Sequence, residues 1–418
     1  MNSSVDCSPK TNFFDEFGED SGTSKLMRDI GELNKDDGYY LMGGGNPSTI
    51  PELTSILRET VSTLVEDETK FNNMFGKYSA PIGIPEILDL LAEYFSEKFN
   101  ANITAKNIAL TNGSQTSFYI LFNLFGGNSG EHYKKIFLPL FPEYIGYLDC
   151  GVSKKRFVGK DPSVKEIDDM LFKYVIDFDS FEIPENTGAL CISRPNNPTG
   201  NIVTDEEVRT LQKHLKGTNI PLILDCAYGA PFPGICHEEC SPIWNEEIIY
   251  VMSLSKLGLP GARTGIIIAK EEYIRQIGAV NTGLSLAVNS IGQFILAELI
   301  KNKKIDLLAG QIIKNHYRQK LDKIMGFLRE MRLEYDFRVH SPEGAFFLWL
   351  SFPSMKVDSL QLYEMLKERK VIILSGMYFT TCEEPNFTGK CIRINYAEPF
   401  DVVSEGLKIV FKTVAEFS

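Results

Sequence analysis

The chain is short of positive charge. Its 43 lysines and arginines face 55 aspartates and glutamates across 418 residues, a formal net charge of −12. A protein whose main partner is nucleic acid normally carries a basic face, so DNA and RNA are not expected partners. A local basic pocket for a small anion is still compatible with that balance. Long apolar runs are missing too. The densest, GAFFLWLSF, falls far short of the roughly 18 residues of a membrane span, so no membrane partner is expected. The opening MNSSVDCSPKTNFFDEFGED has acidic residues and no apolar core, which does not fit a secretory signal. There is no internal repeat, homopolymer tract or Pro/Gly/Ser linker. The eight cysteines are scattered from Cys7 to Cys391 instead of forming a compact disulfide framework. They read as reduced thiols, and a cytoplasmic location is expected. Cys236 and Cys240 have a spacing that could hold a metal, but no second ligand pair stands near them. A loop with incidental thiols is expected there, and no metal.

What is present is an ordinary globular composition, 43% apolar and 23% charged. At about 150 residues per domain the length suggests two or three domains. Residues 1–24, rich in Ser and Asp, read as a mobile arm. Apolar positions at helical spacing mark 51–66 and 84–99, as in Ile84, Ile87, Leu88, Leu91 and Phe95. Short continuous apolar runs follow at 107–110, 135–138, 188–192, 221–224, 248–252 and 264–268, the pattern of buried parallel strands. Strands alternating with helices predict an α/β fold, a mainly parallel sheet covered by helices on both faces. An amphipathic stretch at 312–331 suits a connector helix. The strand–helix–strand material beyond it (344–351, 359–369, 391–396) suits a smaller α+β domain.

The chemistry concentrates at strand ends. Ser253-Leu-Ser-Lys256, running on to Arg263, follows the run 248–252. A lysine among small hydroxyls, near an arginine whose planar fork recognises phosphate, suits a catalytic amine beside an anion site. Standing alone it could equally be an ordinary turn. Ser193-Arg-Pro-Asn-Asn197-Pro-Thr-Gly200 is a polar turn after another strand, and Leu222-Ile-Leu-Asp225-Cys-Ala-Tyr228 ends a strand in an acid. A carboxylate at the carboxyl end of a parallel strand lies where open α/β sheets bind ligands, although Asp225 could also cap the next helix. Gly113, Ser114 and Gln115 open a helix whose free N–H groups would cradle phosphate. Arg393, inside an apolar strand, needs an anionic partner.

The ordered set NPTG, DxAY, SxSKxxxxPGxRxG and the late IRI resembles class I aminotransferases, enzymes of fold type I that use pyridoxal 5′-phosphate (PLP). The glycine-rich opening LMGGGNPSTIP and the phrase SRPNNPTGN are further similar to the valine–pyruvate branch of that class. The resemblance implies a large PLP-binding domain (50–305) with a mainly parallel seven-stranded sheet, a smaller α+β domain (25–49 and 306–418), and a homodimer. It implies that Lys256 links covalently to PLP and then moves a proton, that Asp225 pairs with the pyridine nitrogen, and that Tyr228 and Asn197 serve the ring oxygen. Tyr144 would stack on the ring, although it could also be a core tyrosine. Gly113, Ser114, Gln115, Ser253, Ser255 and Arg263 would hold the phosphate, with Tyr78 reaching it from the other subunit. Arg393, with Asn197 and backbone donors at Gly45, would bind the substrate carboxylate. Arg194 departs from the class, where many members carry an uncharged residue. The expected partners are small amino acids and 2-oxo acids, and the expected reaction moves the amino group of valine to pyruvate. A PLP-dependent lyase or synthase of the same fold is the alternative. A PLP-binding regulator domain is disfavoured because the segment before Gly43 lacks a basic recognition helix. No residue can be matched to a second, distal-carboxylate arginine, with Arg28 and Arg194 left open, and the apolar segment 39–42 is expected near the mouth.

Overall fold

A computed structural model describes residues 38–151, 156–379 and 387–418, together with Ser24, Arg28, Asp29 and Gly31. The expected mobile arm, 1–24, lies outside the described residues apart from Ser24. The larger sheet runs, in spatial order, through Ile108–Thr111, Gly265–Ile268, Ile248–Ser253, Leu222–Asp225, Thr187–Ser193, His132–Leu138 and Phe157–Gly159. An eighth short strand, Gly127–Ser129, pairs antiparallel with the start of His132–Leu138. The sheet is mainly parallel, as the sequence predicts. Gly265–Ile268, however, runs antiparallel to both its neighbours. All four of its residues are buried, and a continuous apolar run reports burial on both faces without reporting direction.

Period-two alternation sorts each central strand into two cores. In Ile248–Ser253, Ile249 and Val251 face one core, with Phe118, Leu121 and Ile277. Ile248, Tyr250 and Met252 face the other, with Leu91, Phe95 and Phe232. Helices Ser114–Phe125 and Glu271–Ser285 cover the first face, and Pro85–Phe99 and Ile291–Lys301 belong to the second. Prolines at the first positions of Pro51–Glu66 and Pro85–Phe99 set their starts, because a proline there gives up an N–H that would have no helical partner.

A second sheet has the order Leu374–Ser375, Cys391–Asn395, Phe347–Ser351, Arg338–His340, Leu171–Val175 and Ser163–Glu166. Its last two strands come from within the 50–305 span. The connector is helix Lys314–Met331, entered through one π-helical stretch, Leu308–Ile313. Tyr40–Leu41 pairs in parallel with Val371–Ile372, and Met42 is fully buried. The segment 39–42, expected at the mouth, is therefore strand and core.

Candidate active site

The register of the large sheet places its polar strand ends side by side. Ser193 is opposite Asp225, Ser253 opposite Gly265, and Gly265 opposite Thr111. These ends border a cavity of about 270 Å³ that reaches across to Arg393 in the second sheet. Of the residues expected from sequence, Gly45, Ser114, Gln115, Tyr144, Asn197, Asp225, Tyr228, Ser253, Ser255, Lys256, Arg263 and Arg393 all line it. Gly113 stands directly behind Arg263. Tyr78 does not line this cavity; it is 85% exposed.

Lys256 projects its amine into the middle of the cavity. Its Nζ donates to the Gly45 carbonyl at 2.7 Å and lies 5.4 Å from the Tyr228 ring centroid and 5.7 Å from that of Phe346. Burial, then the charges of Arg393 and Arg263, lower its pKa to about 8. Asp225 is buried and accepts from the Tyr147 hydroxyl at 2.7 Å and the Ala227 N–H at 3.0 Å. Burial raises it to about 6 against those two hydrogen bonds. Tyr144 presents its ring to the cavity and is packed edge-on against Tyr147, 5.4 Å between centroids.

One end of the cavity is an anion cradle. Gly113, at φ +96°, turns the chain into helix Ser114–Phe125, whose first N–H groups have no helical acceptor. Ser253 Oγ donates to Ser255 Oγ at 3.0 Å, and Arg263 Nη1 donates to Ser255 at 3.3 Å. The Gln115 side chain turns away and donates to the Gly146 carbonyl at 2.9 Å, so only its backbone serves the cradle.

The other end is built around Arg393. Its guanidinium stacks 4.2 Å from the Phe347 ring centroid and donates to Asn197 Oδ1 at 2.8 Å and to the Gly43 carbonyl. Its Nε–H is buried without a partner, a donor free for an incoming anion. Burial lowers Arg393 to about 10, so it is still cationic at neutral pH. The Gly43 and Gly45 carbonyls thus serve Arg393 and Lys256, whereas the sequence predicts backbone donors at Gly45.

Arg194 points away from the cavity. It is fully buried, pairs with Asp205, and donates to the Ser241 carbonyl at 2.9 Å and the Val203 carbonyl at 2.6 Å. Arg28 is exposed and does not line the cavity. Sequence reasoning missed Tyr147, Glu143 and Phe346. Tyr147 carries one signal, an aromatic three residues after Tyr144; Glu143 and Phe346 matter only through packing that spacing does not reveal.

A flat ring carrying a phosphate, a ring nitrogen and a carbonyl carbon fits this donor set. The cradle would suit its phosphate, Asp225 its nitrogen, and the Lys256 amine its carbonyl carbon. The family model for class I and II aminotransferases matches residues 38–402. The chain is 40% identical to the valine–pyruvate aminotransferase of Escherichia coli over 96% of its own length and 97% of that protein's. The crystal structure of valine–pyruvate aminotransferase from Salmonella typhimurium superposes with a TM-score of 0.85 at 40% identity, covering 94% of this chain and 98% of that one. A protein of Psychrobacter arcticum described as an amino-acid aminotransferase superposes with a TM-score of 0.94 at 36% identity, covering 98% of both chains. The chain belongs to the class I and II aminotransferase family, whose cofactor is PLP.

Proposed function

We propose that the protein moves the amino group of L-valine to pyruvate, giving 3-methyl-2-oxobutanoate and L-alanine. The observation that carries this reading is the charge inventory of the cavity. Among the described residues, the cations lining it are Lys256, Arg263 and Arg393. With Arg263 in the phosphate cradle and Lys256 as the amine, Arg393 alone is left for a substrate carboxylate. A second carboxylate on the substrate side chain would be buried without a partner, which costs several kcal/mol. The similarity to valine–pyruvate aminotransferases supports the same choice of substrate.

PLP supplies an electron sink for the negative charge that develops at the amino acid Cα when its proton leaves. Gly113, Ser114, Gln115, Ser253, Ser255 and Arg263 would hold its phosphate, Tyr144 would cover the ring, and Tyr228 and Asn197 would serve the ring oxygen. Asp225 would keep the ring nitrogen protonated. Arg393 and Asn197 clamp the substrate carboxylate and so aim the Cα–H bond at Lys256. Because its pKa is lowered to about 8, the Lys256 amine has an appreciable neutral fraction at physiological pH. It would therefore offer PLP a covalent anchor and could take the proton from the substrate Cα at its Nζ.

We also propose a cytoplasmic homodimer. Phe71, Phe75, Tyr78 and Leu286 are exposed apolar side chains. Their segments are tied together by Ser290 to the Met74 carbonyl and Ser79 to the Val288 carbonyl. Asn289 continues that link to Asn112, beside the cradle. A second copy covering this face would bring its Tyr78 toward the phosphate. The division of the chain into 50–305 and 25–49 with 306–418 is part of the same proposal, with hairpin 163–175 joined to the smaller unit's sheet.

The test is product analysis. Purified protein with PLP, L-valine and pyruvate should yield alanine and 3-methyl-2-oxobutanoate in equal amounts. Release of ammonia without alanine would replace this reading with a lyase.

A further inference from the structure

Glu143 is a buried carboxyl that the chemistry above leaves without a task. It is 2% exposed. The groups bonded to its carboxyl are donors: the Ser193 backbone N–H at 2.9 Å on Oε1, then the Ser193 hydroxyl and the Asn196 amide, the latter at 3.0 Å, on Oε2. No cation is among these groups. Burial raises the Glu143 pKa to about 8, and the bonds from Ser193 oppose that rise. An acid held in this way is expensive compared with an apolar side chain of the same size, so its place calls for a function.

Its position supplies one. Glu143 lies in the loop after strand His132–Leu138, next to Tyr144. Ser193 ends strand Thr187–Ser193, and Asn196 lies in the loop that follows, next to Asn197. The carboxyl therefore clips together the two loops that carry Tyr144 and Asn197. Asn196 extends the clip, since its amide also donates to the Pro142 carbonyl at 3.2 Å. Its Oδ1 accepts from Thr199 N–H at 3.0 Å and Thr199 Oγ1 at 2.6 Å. Asn197 in turn holds Arg393 at 2.8 Å.

We propose that Glu143 is a positioning residue: through Ser193 and Asn196 it fixes the separation of Tyr144 and Asn197, and hence the width of the slot for the PLP ring and the aim of Arg393. This rests on the roles given to Tyr144 and Asn197 above. Glu143→Gln turns one accepting oxygen into an NH₂ that faces the Asn196 NH₂. Asn196→Asp places two carboxylates together. The double variant again sets a donor opposite an acceptor between positions 143 and 196 and keeps Oδ1 for Thr199, but it leaves the Pro142 carbonyl facing a second acceptor.

The experiment measures the PLP Kd of the apoprotein, the KM for the amino donor, and Tm, for both single variants and the double. Each single variant should raise Kd and KM by about ten-fold or more, the scale of a small displacement at a reacting site. The double variant should recover part of that loss in both quantities. A Glu143→Gln protein with lowered Tm but unchanged Kd and KM, or a double variant no better than the singles, overturns the proposal. Should Glu143→Gln fail to fold, a folded double variant with recovered Kd and KM supports the clip, and an unfolded one overturns it. Tyr144→Ala and Asn197→Ala are run alongside. Unchanged Kd and KM in both would overturn the underlying roles instead, which separates the two failures.

Discussion

The residues that do chemistry here are made useful by where the fold takes their water away. Burial disfavours the ammonium form of Lys256, and repulsion from Arg393 and Arg263 adds to it. The amine loses its proton near pH 8, well below the ordinary lysine range. Covalent capture of PLP by the apoprotein should therefore quicken through pH 7–9 and level off above, followed as the rise of the cofactor's bound absorbance. A capture rate still climbing tenfold per pH unit at pH 10 would contradict a lowered lysine. The linkage has a definite sign. Between pH 8 and the ordinary lysine range the unfolded chain binds the extra proton, so this group's contribution to apoprotein stability rises with pH in that window. Asp225 shifts the opposite way, to about 6, because burial disfavours its charge. A protonated ring nitrogen would supply the opposite charge that its burial calls for.

At the scale of elements, the site depends on turns that deliver side chains and backbone N–H groups to one edge of the sheet. Gly113 shows how strict that is. An added Cβ there would lie 2.1 Å from the Arg263 guanidinium, at a φ of +96° that other residues rarely adopt. Gly113→Ala should displace Arg263 and strain the turn by about 1–3 kcal/mol, weakening PLP binding roughly ten- to a hundred-fold. Gly261→Ala, where a Cβ would meet nothing within 4 Å, should bind PLP as the parent does. Equal PLP affinity in the two variants would dissociate the turn from the cradle. Such turns were readable in advance because each carries a glycine, a hydroxyl or a charge directly after an apolar run. The apolar runs match their strands within one residue at each end, except that His132–Leu138 begins three residues before the run 135–138. The hairpin Ser163–Val175 was not: it is partly exposed and carries Lys and Glu, so no apolar run announces it. Arg194 was ambiguous because a buried ion pair with Asp205 and a ligand contact look alike in one dimension. Glu143 was silent because its meaning lies in the packing of two loops 50 residues apart in sequence.

For the whole molecule, an acidic chain concentrates three cations around one cavity between two sheets, and leaves an apolar face beside the phosphate end. If a second copy covers that face, Tyr78→Phe should loosen PLP. Mixing Tyr78→Phe with Lys256→Ala subunits should then recover part of the activity that each lacks, since one hybrid site has both groups intact. A fully active monomer in sedimentation would contradict this. The central claim concerns what the cavity accepts, and competing amino donors test it most directly. Holoprotein without any oxo acid is offered L-valine, L-alanine, L-aspartate and L-phenylalanine, and conversion of the cofactor is followed by its visible absorbance. Each methylene of a side chain is worth only about 1–3 kcal/mol in such a pocket, so valine and alanine, two carbons apart, should both react to some degree. Aspartate would bury a carboxylate with no cation left among the described residues to meet it and should react far more slowly. A clear preference for aspartate or phenylalanine over valine would contradict the assignment.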